Sequence, residues 1–157
     1  MMERWFNGSG QMITYEKIIE NIKQHSDLNG SVYIGTDSHL VKRDCIFSTA
    51  ICLHGANNQT GGKYYFKKMK FKKSKFPTLL ERITSEVQNS VQIAMEVLEF
   101  CPSVDIEIHL DISSSDKKEA TSRFSDMLIC YAQSTGFSCS VKPNAFAASS
   151  VADKHTK

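Results

Sequence analysis

Residues 104–112, VDIEIHLDI, decide the fold, because they form a strand pattern that lies between two helical patterns. Apolar residues occupy every second position of this segment, as in a strand with one buried face. Residues 78–100, which precede it, carry apolar residues at i, i+3 and i+4 spacing and predict a long helix. A second helix is predicted at about 116–134. This alternation predicts an α/β protein.

Three extended segments precede the long helix and are joined by short connections. They are 31–37 (SVYIGTD), 45–53 (CIFSTAICL) and 63–75 (KYYFKKMKFKKSK). Short connections between consecutive strands favour an antiparallel meander. The remaining predicted elements are a helix at 14–25, a strand at 137–142 and a short helix within 145–156.

The order of these elements predicts a mixed five-stranded sheet flanked by helices. A three-stranded antiparallel meander is followed by two parallel strands that right-handed crossovers add to the sheet. This is the element order of the ribonuclease H fold, with an extra helix at the N-terminus. We expect one domain over residues 1–157, with 1–11 as an N-terminal extension.

Length and composition agree with one folded domain. The chain has 157 residues, of which 41% are hydrophobic and 23% are charged. No apolar run approaches the roughly 18 residues that a membrane span needs. The first ten residues, MMERWFNGSG, lack the apolar core of a signal peptide. We therefore expect a cytoplasmic protein that does not contact a membrane.

The positive charge is concentrated in residues 63–75, which contain seven lysines and no acid. The remaining chain holds 12 basic and 17 acidic residues, a net charge of −5. A lysine row of this kind favours a polyanionic partner, because it neutralises phosphates and releases counterions. The residues expected to contact a nucleic-acid backbone, without sequence readout, are Lys67, Lys68, Lys70, Lys72 and Lys73. Lysines that protect a sheet edge from aggregation are the alternative interpretation.

Four carboxylates are candidates for one shared site. Asp37 lies in or at the end of the first meander strand, and Asp111 lies at the carboxyl end of the fourth strand, its expected neighbour. On the long helix, Glu86 falls on the flank of the apolar face, whereas Glu81 falls toward solvent. Asp153 on the C-terminal helix completes the set. Clustered carboxylates repel one another unless divalent cations neutralise them, and hard oxygen ligands suit Mg²⁺ or Mn²⁺.

Such a set favours phosphodiester hydrolysis. Two ions about 4 Å apart activate a water and stabilise the leaving oxygen in enzymes of this kind. The lysine row would hold the polyanionic substrate on the same sheet. His155 and Lys154, beside Asp153, are candidate auxiliary residues. No glycine-rich phosphate-binding motif and no H-x-x-x-H pair occur, so we expect neither a nucleotide cofactor nor a zincin-type zinc site.

The segments IGTDS (34–38), HLDI (109–112) and KPNAFAASSVADKHTK (142–157) resemble the YkuK-type ribonuclease H-like proteins of bacteria and phages. The resemblance runs from about residue 12 to the C-terminus. It implies a ribonuclease H-like fold in which Asp37, Asp111, Glu86 and Asp153 correspond to the acidic residues of the wider superfamily.

The sequence thus favours a divalent-metal-dependent nuclease, with Asp37 and Asp111 as core ligands and Glu86 and Asp153 as supporting ones. Two alternatives remain open. The first is a non-catalytic nucleic-acid-binding accessory protein that retains the fold. The second is an ATP-handling relative, which the missing phosphate loop disfavours. Whether the substrate is RNA, DNA, a hybrid or a junction stays open.

Overall fold

A computed structural model describes residues 4–56, 62–112 and 124–156 of the chain. Its strands are Trp5–Asn7 (β1), Met12–Ile13 (β2), Ser31–Val41 (β3), Asp44–His54 (β4), Gly62–Lys72 (β5), Asp105–His109 (β6) and Ser138–Ser140 (β7). Its α-helices are Tyr15–Asp27 (α1), Leu79–Phe100 (α2) and Ser125–Ser134 (α3). A 3-10 turn covers Lys73–Lys75, and a π-helix covers Ala147–Ala152.

The strands form one mixed sheet in the order β2-β1-β5-β4-β3-β6-β7. Strands β3, β4 and β5 make an antiparallel meander. Strand β6 lies parallel to β3, and β7 lies parallel to β6. The predicted mixed α/β architecture is therefore confirmed, including the meander and the two parallel strands.

The predicted number of five strands is wrong, because β1 and β2 add to the edge of the sheet beside β5. They lie in and just after the segment that was predicted as an N-terminal extension. Asn7 turns the chain between them, since its Oδ1 accepts hydrogen bonds from the backbone N–H groups of Ser9 and Gln11, both at 3.0 Å. Strands of three and two residues are too short to show the alternation of apolar and polar residues by which a strand is recognised in a sequence.

The structure fixes the ends of two predicted strands. Strand β3, for which residues 31–37 were predicted as the beginning, continues to Val41, which pairs with Asp44 of β4. The third strand ends at Lys72, where the 3-10 turn begins. The first part of the helix predicted at 116–134 lies outside the described residues.

The three α-helices pack on one face of the sheet. Thr14 caps α1 by accepting a hydrogen bond from the N–H of Lys17 at 3.2 Å, and Thr78 and Glu81 form a capping box at the start of α2. The buried apolar cluster between helices and sheet includes Ile18, Ile22, Ile34, Ile51, Val87, Ile93, Ile108 and Leu128. This cluster is the main core of the domain.

The π-helix covers the opposite face of the sheet. Ala147 and Ala152 pack there against Ala50 and Cys52 of β4. Small side chains on both sides let the helix backbone approach the strands closely. The sheet thus separates the α-helices from the C-terminal segment.

Among the helices in the described ranges, none has the length and apolar character that crossing a bilayer requires.

Candidate functional site

The candidate site lies where β6 ends beside β3. The last residue pair of these parallel strands joins His109 to Gly35. Strand β3 continues for six more residues, paired with β4 on one side only within the described ranges. The edge of β3 beyond Gly35 is therefore open, and Asp37 lies in this stretch.

Three carboxylates converge at this open edge. Asp37, Glu86 and Asp111 each offer one oxygen, and these oxygens lie within 4.8 Å of one another. Asp37 and Glu86 are only 7% and 6% exposed, and Asp111 is half-buried. Three separate elements supply them, because Asp111 follows the end of β6 and Glu86 projects from α2.

Hydroxyl groups of β3 hold Glu86 in place. Ser38 Oγ donates a hydrogen bond of 2.5 Å to Glu86 Oε2. One helical turn further along α2, Ser90 Oγ lies 2.8 Å from Thr36 Oγ1. Residues 36 and 38 point to the same face of a strand, which here is the helical face. Two buried polar contacts therefore fix the rotation of α2 against β3 and direct Glu86 toward the other acids.

The C-terminal segment adds two charged groups. The side chain of Asp153 is hydrogen-bonded to that of Asp37, although it is not one of the three whose oxygens lie within 4.8 Å of one another. Lys142 Nζ lies 3.3 Å from Asp111 Oδ1. Within the described part of the chain, this buried Oδ1 accepts no hydrogen bond.

The surroundings of Asp37 and Glu86 disfavour the ionised forms of these two carboxyl groups. Burial raises the pKa of Asp37 well above its ordinary value, and the hydrogen bonds with Asp111 and Asp153 and the charge of Glu86 raise it further. Burial also raises the pKa of Glu86 to about 8; the Ser38 hydrogen bond opposes this shift, and the charge of Asp111 adds to it. Ionised acids in such a place call for a positive charge beside them.

The residues present fit a divalent cation. All three converging donors are carboxylate oxygens, which are the ligands that Mg²⁺ and Mn²⁺ prefer. Asp111 Oδ1 is buried and accepts no hydrogen bond from the described residues, and its ion pair with Lys142 Nζ at 3.3 Å shows that this oxygen attracts a cation. A cation bound there would favour the ionised carboxylates and so oppose the rise of these pKa values.

Lys68, Lys70 and Lys72 lie on the same face of the sheet as Asp37. Asp37 pairs with Ser48, and Ser48 pairs with Lys68. Directly paired residues in antiparallel strands point to the same face, and residues two apart along a strand share it. Two strand spacings separate Lys68 from Asp37, or about 10 Å. All three lysines are exposed.

Lys67 does not belong to this exposed row. It faces the helical side, is 5% exposed, and places its Nζ 5.5 Å from the centre of the Trp5 ring. Strand alternation explains the difference, since Lys67 follows Tyr65 on the core face. The expectation that Lys67 contacts nucleic acid is therefore corrected. Lys73 is exposed in the 3-10 turn that follows β5.

His155 and Lys154 lie beside the lysine row. The His155 ring stacks on Phe66 with centroids 3.6 Å apart, and its Nε2 lies 3.0 Å from Tyr64 Oη. Burial and the charges of Lys154 and Lys68 lower the pKa of His155. Lys154 is exposed, with its Nζ 5.7 Å from the Tyr64 ring centre. These contacts turn His155 toward β5.

Sequence reasoning missed three residues of the site, namely Ser38, Arg82 and Lys142. Arg82 lies one turn before Glu86, and its charge lowers the pKa of that carboxyl. A signal existed for Lys142, because it is the last residue of the strand predicted at 137–142, and neighbouring parallel strands end at one edge. No comparable signal marks Ser38, whose role depends on the facing turn of α2.

Comparison with known proteins agrees with this fold. A family model described as Ribonuclease H-like matches residues 13–157. The chain belongs to the ribonuclease H-like family. Searches of curated proteins and of solved structures returned no significant match. The family match covers the meander, the parallel strands and all four candidate acids, and it begins after β1.

Proposed function

We propose that this ribonuclease H-like protein is a divalent-metal-dependent nuclease that hydrolyses phosphodiester bonds. One observation carries the proposal: three buried or half-buried carboxylates from separate elements bring oxygens within 4.8 Å at the open edge of the sheet. Membership of the ribonuclease H-like family supports a function connected with nucleic acids.

In this proposal Asp37 and Asp111 are the core ligands of Mg²⁺ or Mn²⁺, and Glu86 and Asp153 are supporting ligands. When bound, such cations supply an activated water and stabilise the leaving oxygen. Ser38 keeps Glu86 oriented through its 2.5 Å hydrogen bond. Lys142, 3.3 Å from Asp111, is placed to attract the substrate phosphate toward the acids.

The proposed partner is nucleic acid, held through its phosphates by the exposed lysines of β5 and the turn that follows it. His155 and Lys154 border this surface and are proposed as auxiliary contacts. We further assign the chain to the YkuK-type group of bacterial and phage proteins, on the terminal motif ASSVADKHTK at 148–157.

A second candidate function is nucleic-acid binding without catalysis, as an accessory protein. The contact between Lys142 and Asp111 favours it, because a lysine that neutralises an acid reduces the need for a metal ion there. In that case the acidic cluster would be structural.

A cleavage panel separates the two functions. Labelled RNA, single-stranded and double-stranded DNA, an RNA–DNA hybrid and a four-way junction are incubated with Mg²⁺, Mn²⁺ or EDTA. The nuclease predicts cutting of at least one substrate that EDTA abolishes. Binding of the panel without cutting in any metal would favour the accessory protein.

Replacing Lys68 and Lys70 together with Gln is expected to flatten the salt dependence of nucleic-acid binding. Each lost phosphate contact lowers the slope of log K against log salt by about 0.7 to 0.9. The matched control replaces Lys17 and Lys23, two exposed lysines of α1. Fluorescence anisotropy at several salt concentrations measures both slopes. Equal slopes of log K against log salt in the two variants would indicate that Lys68 and Lys70 protect the sheet edge from aggregation and do not contact phosphates.

Glu86→Gln is expected to lower metal-dependent cleavage by about 10- to 100-fold, since it removes a charge beside the core ligands. Glu81→Gln is the matched control on the same helix. Glu81 is exposed and serves the capping box, so its loss costs a few tenths of a kcal/mol and leaves cleavage unchanged. A larger effect of Glu81→Gln than of Glu86→Gln would show that the wrong helix glutamate was assigned.

A further inference from the structure

A cleft of about 990 Å³ opens beside the carboxylate site, between the tip of the β3–β4 hairpin and the start of α2. Leu40, which lines it, lies two residues after Ser38. Arg82, which also lines it, lies one helical turn before Glu86. A helical turn rises about 5 Å, so the cleft begins close to the acids.

The cleft is strongly cationic. Among the residues that the structure describes, five that line it are basic, namely Lys42, Arg43, Lys72, Lys73 and Arg82. The one acid among these described lining residues is Asp44, whose Oδ2 lies 3.4 Å from Nζ of Lys70, a residue outside the lining. The first residues of α2 also border the cleft, and the positive end of the helix dipole adds to its potential.

One cation of the cleft has an unused donor. The Nε of Arg82 is buried and has no hydrogen-bond partner among the residues that the structure describes. A buried guanidinium donor without an acceptor is costly. The guanidinium group of Arg82 belongs to a side chain that lines the cleft, and such groups bind phosphate oxygens. This observation is independent of the number of lysines on the surface.

The walls of the cleft are apolar as well as basic. Leu40, Phe76, Pro77 and Leu79 contribute side chains to the lining. Flexible single strands place phosphates on basic groups and bases on apolar or aromatic surfaces, whereas a duplex keeps its bases stacked inside. The volume of about 990 Å³ is at the upper end of that of small-ligand pockets, which suits one or two nucleotides.

We propose that this cleft binds one or two nucleotides of a single strand that leaves the carboxylate site, with a phosphate on Arg82 and Arg43. The inference rests on the proposed function, because it names the path of the substrate. Lys72 belongs both to the exposed lysine row and to the lining of the cleft, so the two surfaces form one continuous track. The substrate class that follows is nucleic acid with a single-stranded segment or end.

The test measures binding without metal, so that it does not depend on cleavage. A 5′-phosphorylated thymidine dinucleotide is titrated into the protein in EDTA, and its dissociation constant is measured by calorimetry. The double variant Arg43→Gln, Lys73→Gln removes two exposed cations of the cleft. The matched control removes Lys17 and Lys23 of α1, and thermal unfolding verifies that both variants fold.

Binding of the dinucleotide is expected to weaken at least tenfold in the cleft variant and to change less than twofold in the control. Removal of the 5′-phosphate from the ligand should also weaken binding to the wild-type protein. Equal affinities of the two variants, or no binding by the wild type at millimolar dinucleotide, would overturn the proposal. Binding in the cleft together with an inactive cleavage panel would instead contradict the nuclease function and leave the cleft assignment intact.

Discussion

Replacing Asp111 with Asn is expected to lower metal-dependent cleavage on the order of a thousandfold, or about 4 kcal/mol of activation free energy. Asp111 supplies one of the three converging oxygens, and its Oδ1 is the buried acceptor without a hydrogen bond in the described residues. An amide has the same shape but no charge, so it holds a divalent cation poorly. Initial cleavage rates at saturating Mg²⁺ or Mn²⁺ measure the effect.

The matched control for this variant is Asp105→Asn. Asp105 begins β6, is exposed, and accepts a hydrogen bond from Ser31 Oγ at 3.2 Å. The same chemical change at the opposite end of β6 is expected to leave cleavage within about twofold. Affinity for nucleic acid in EDTA should stay unchanged in both variants, because the lysine row is intact. A comparable loss of cleavage in the control would contradict the assignment of Asp111.

Asp37→Asn is expected to stabilise the metal-free protein at neutral and alkaline pH. The pKa of Asp37 is raised in the folded state, so the folded chain keeps a proton that the unfolded chain releases above about pH 4. The free energy of unfolding of the wild type therefore falls as the pH rises. The variant has no carboxyl group to titrate at this position. We therefore expect its free energy of unfolding at pH 8 to exceed that of the wild type by about 1–3 kcal/mol, which corresponds to several degrees in Tm.

Thermal unfolding in EDTA between pH 5 and pH 8 measures this difference. The gap between Asp37→Asn and the wild type should widen as the pH rises. Addition of Mn²⁺ should reverse the order, because the cation stabilises the wild type by binding its folded state. A variant that is less stable than the wild type at every pH would contradict this account, because it would show that the ionised side chain of Asp37 stabilises the folded state.

Much of the fold was predictable because its elements carry long periodic signals. The 22 residues of α2 and the alternation in β6 mark these elements clearly. Strands β1 and β2 leave no such signal, and their pairing with β5 depends on a turn at Asn7 and on a strand far along the chain. Whether short edge strands of this kind form depends on tertiary contacts.

The site was predictable where topology alone brings residues together. Asp37 and Asp111 follow from adjacent strands, and the helical repeat separated Glu86 from Glu81. The hydrogen bond of Ser38 with Glu86 depends on how α2 is rotated against β3, which hydroxyl contacts decide. The burial of Lys67 had a signal in the sequence, since Tyr65, Met69 and Phe71 share its face of the strand.

The most direct test of the central claim, that Asp37, Glu86 and Asp111 together hold a divalent cation, is Mn²⁺ binding followed by electron paramagnetic resonance. The wild type and Glu81→Gln are expected to remove free Mn²⁺ from solution equally, and more strongly at pH 8 than at pH 6, because binding releases protons. Asp37→Asn is expected to lose this binding while remaining folded. Undiminished Mn²⁺ binding by folded Asp37→Asn, or none by the wild type at millimolar Mn²⁺, would contradict the claim.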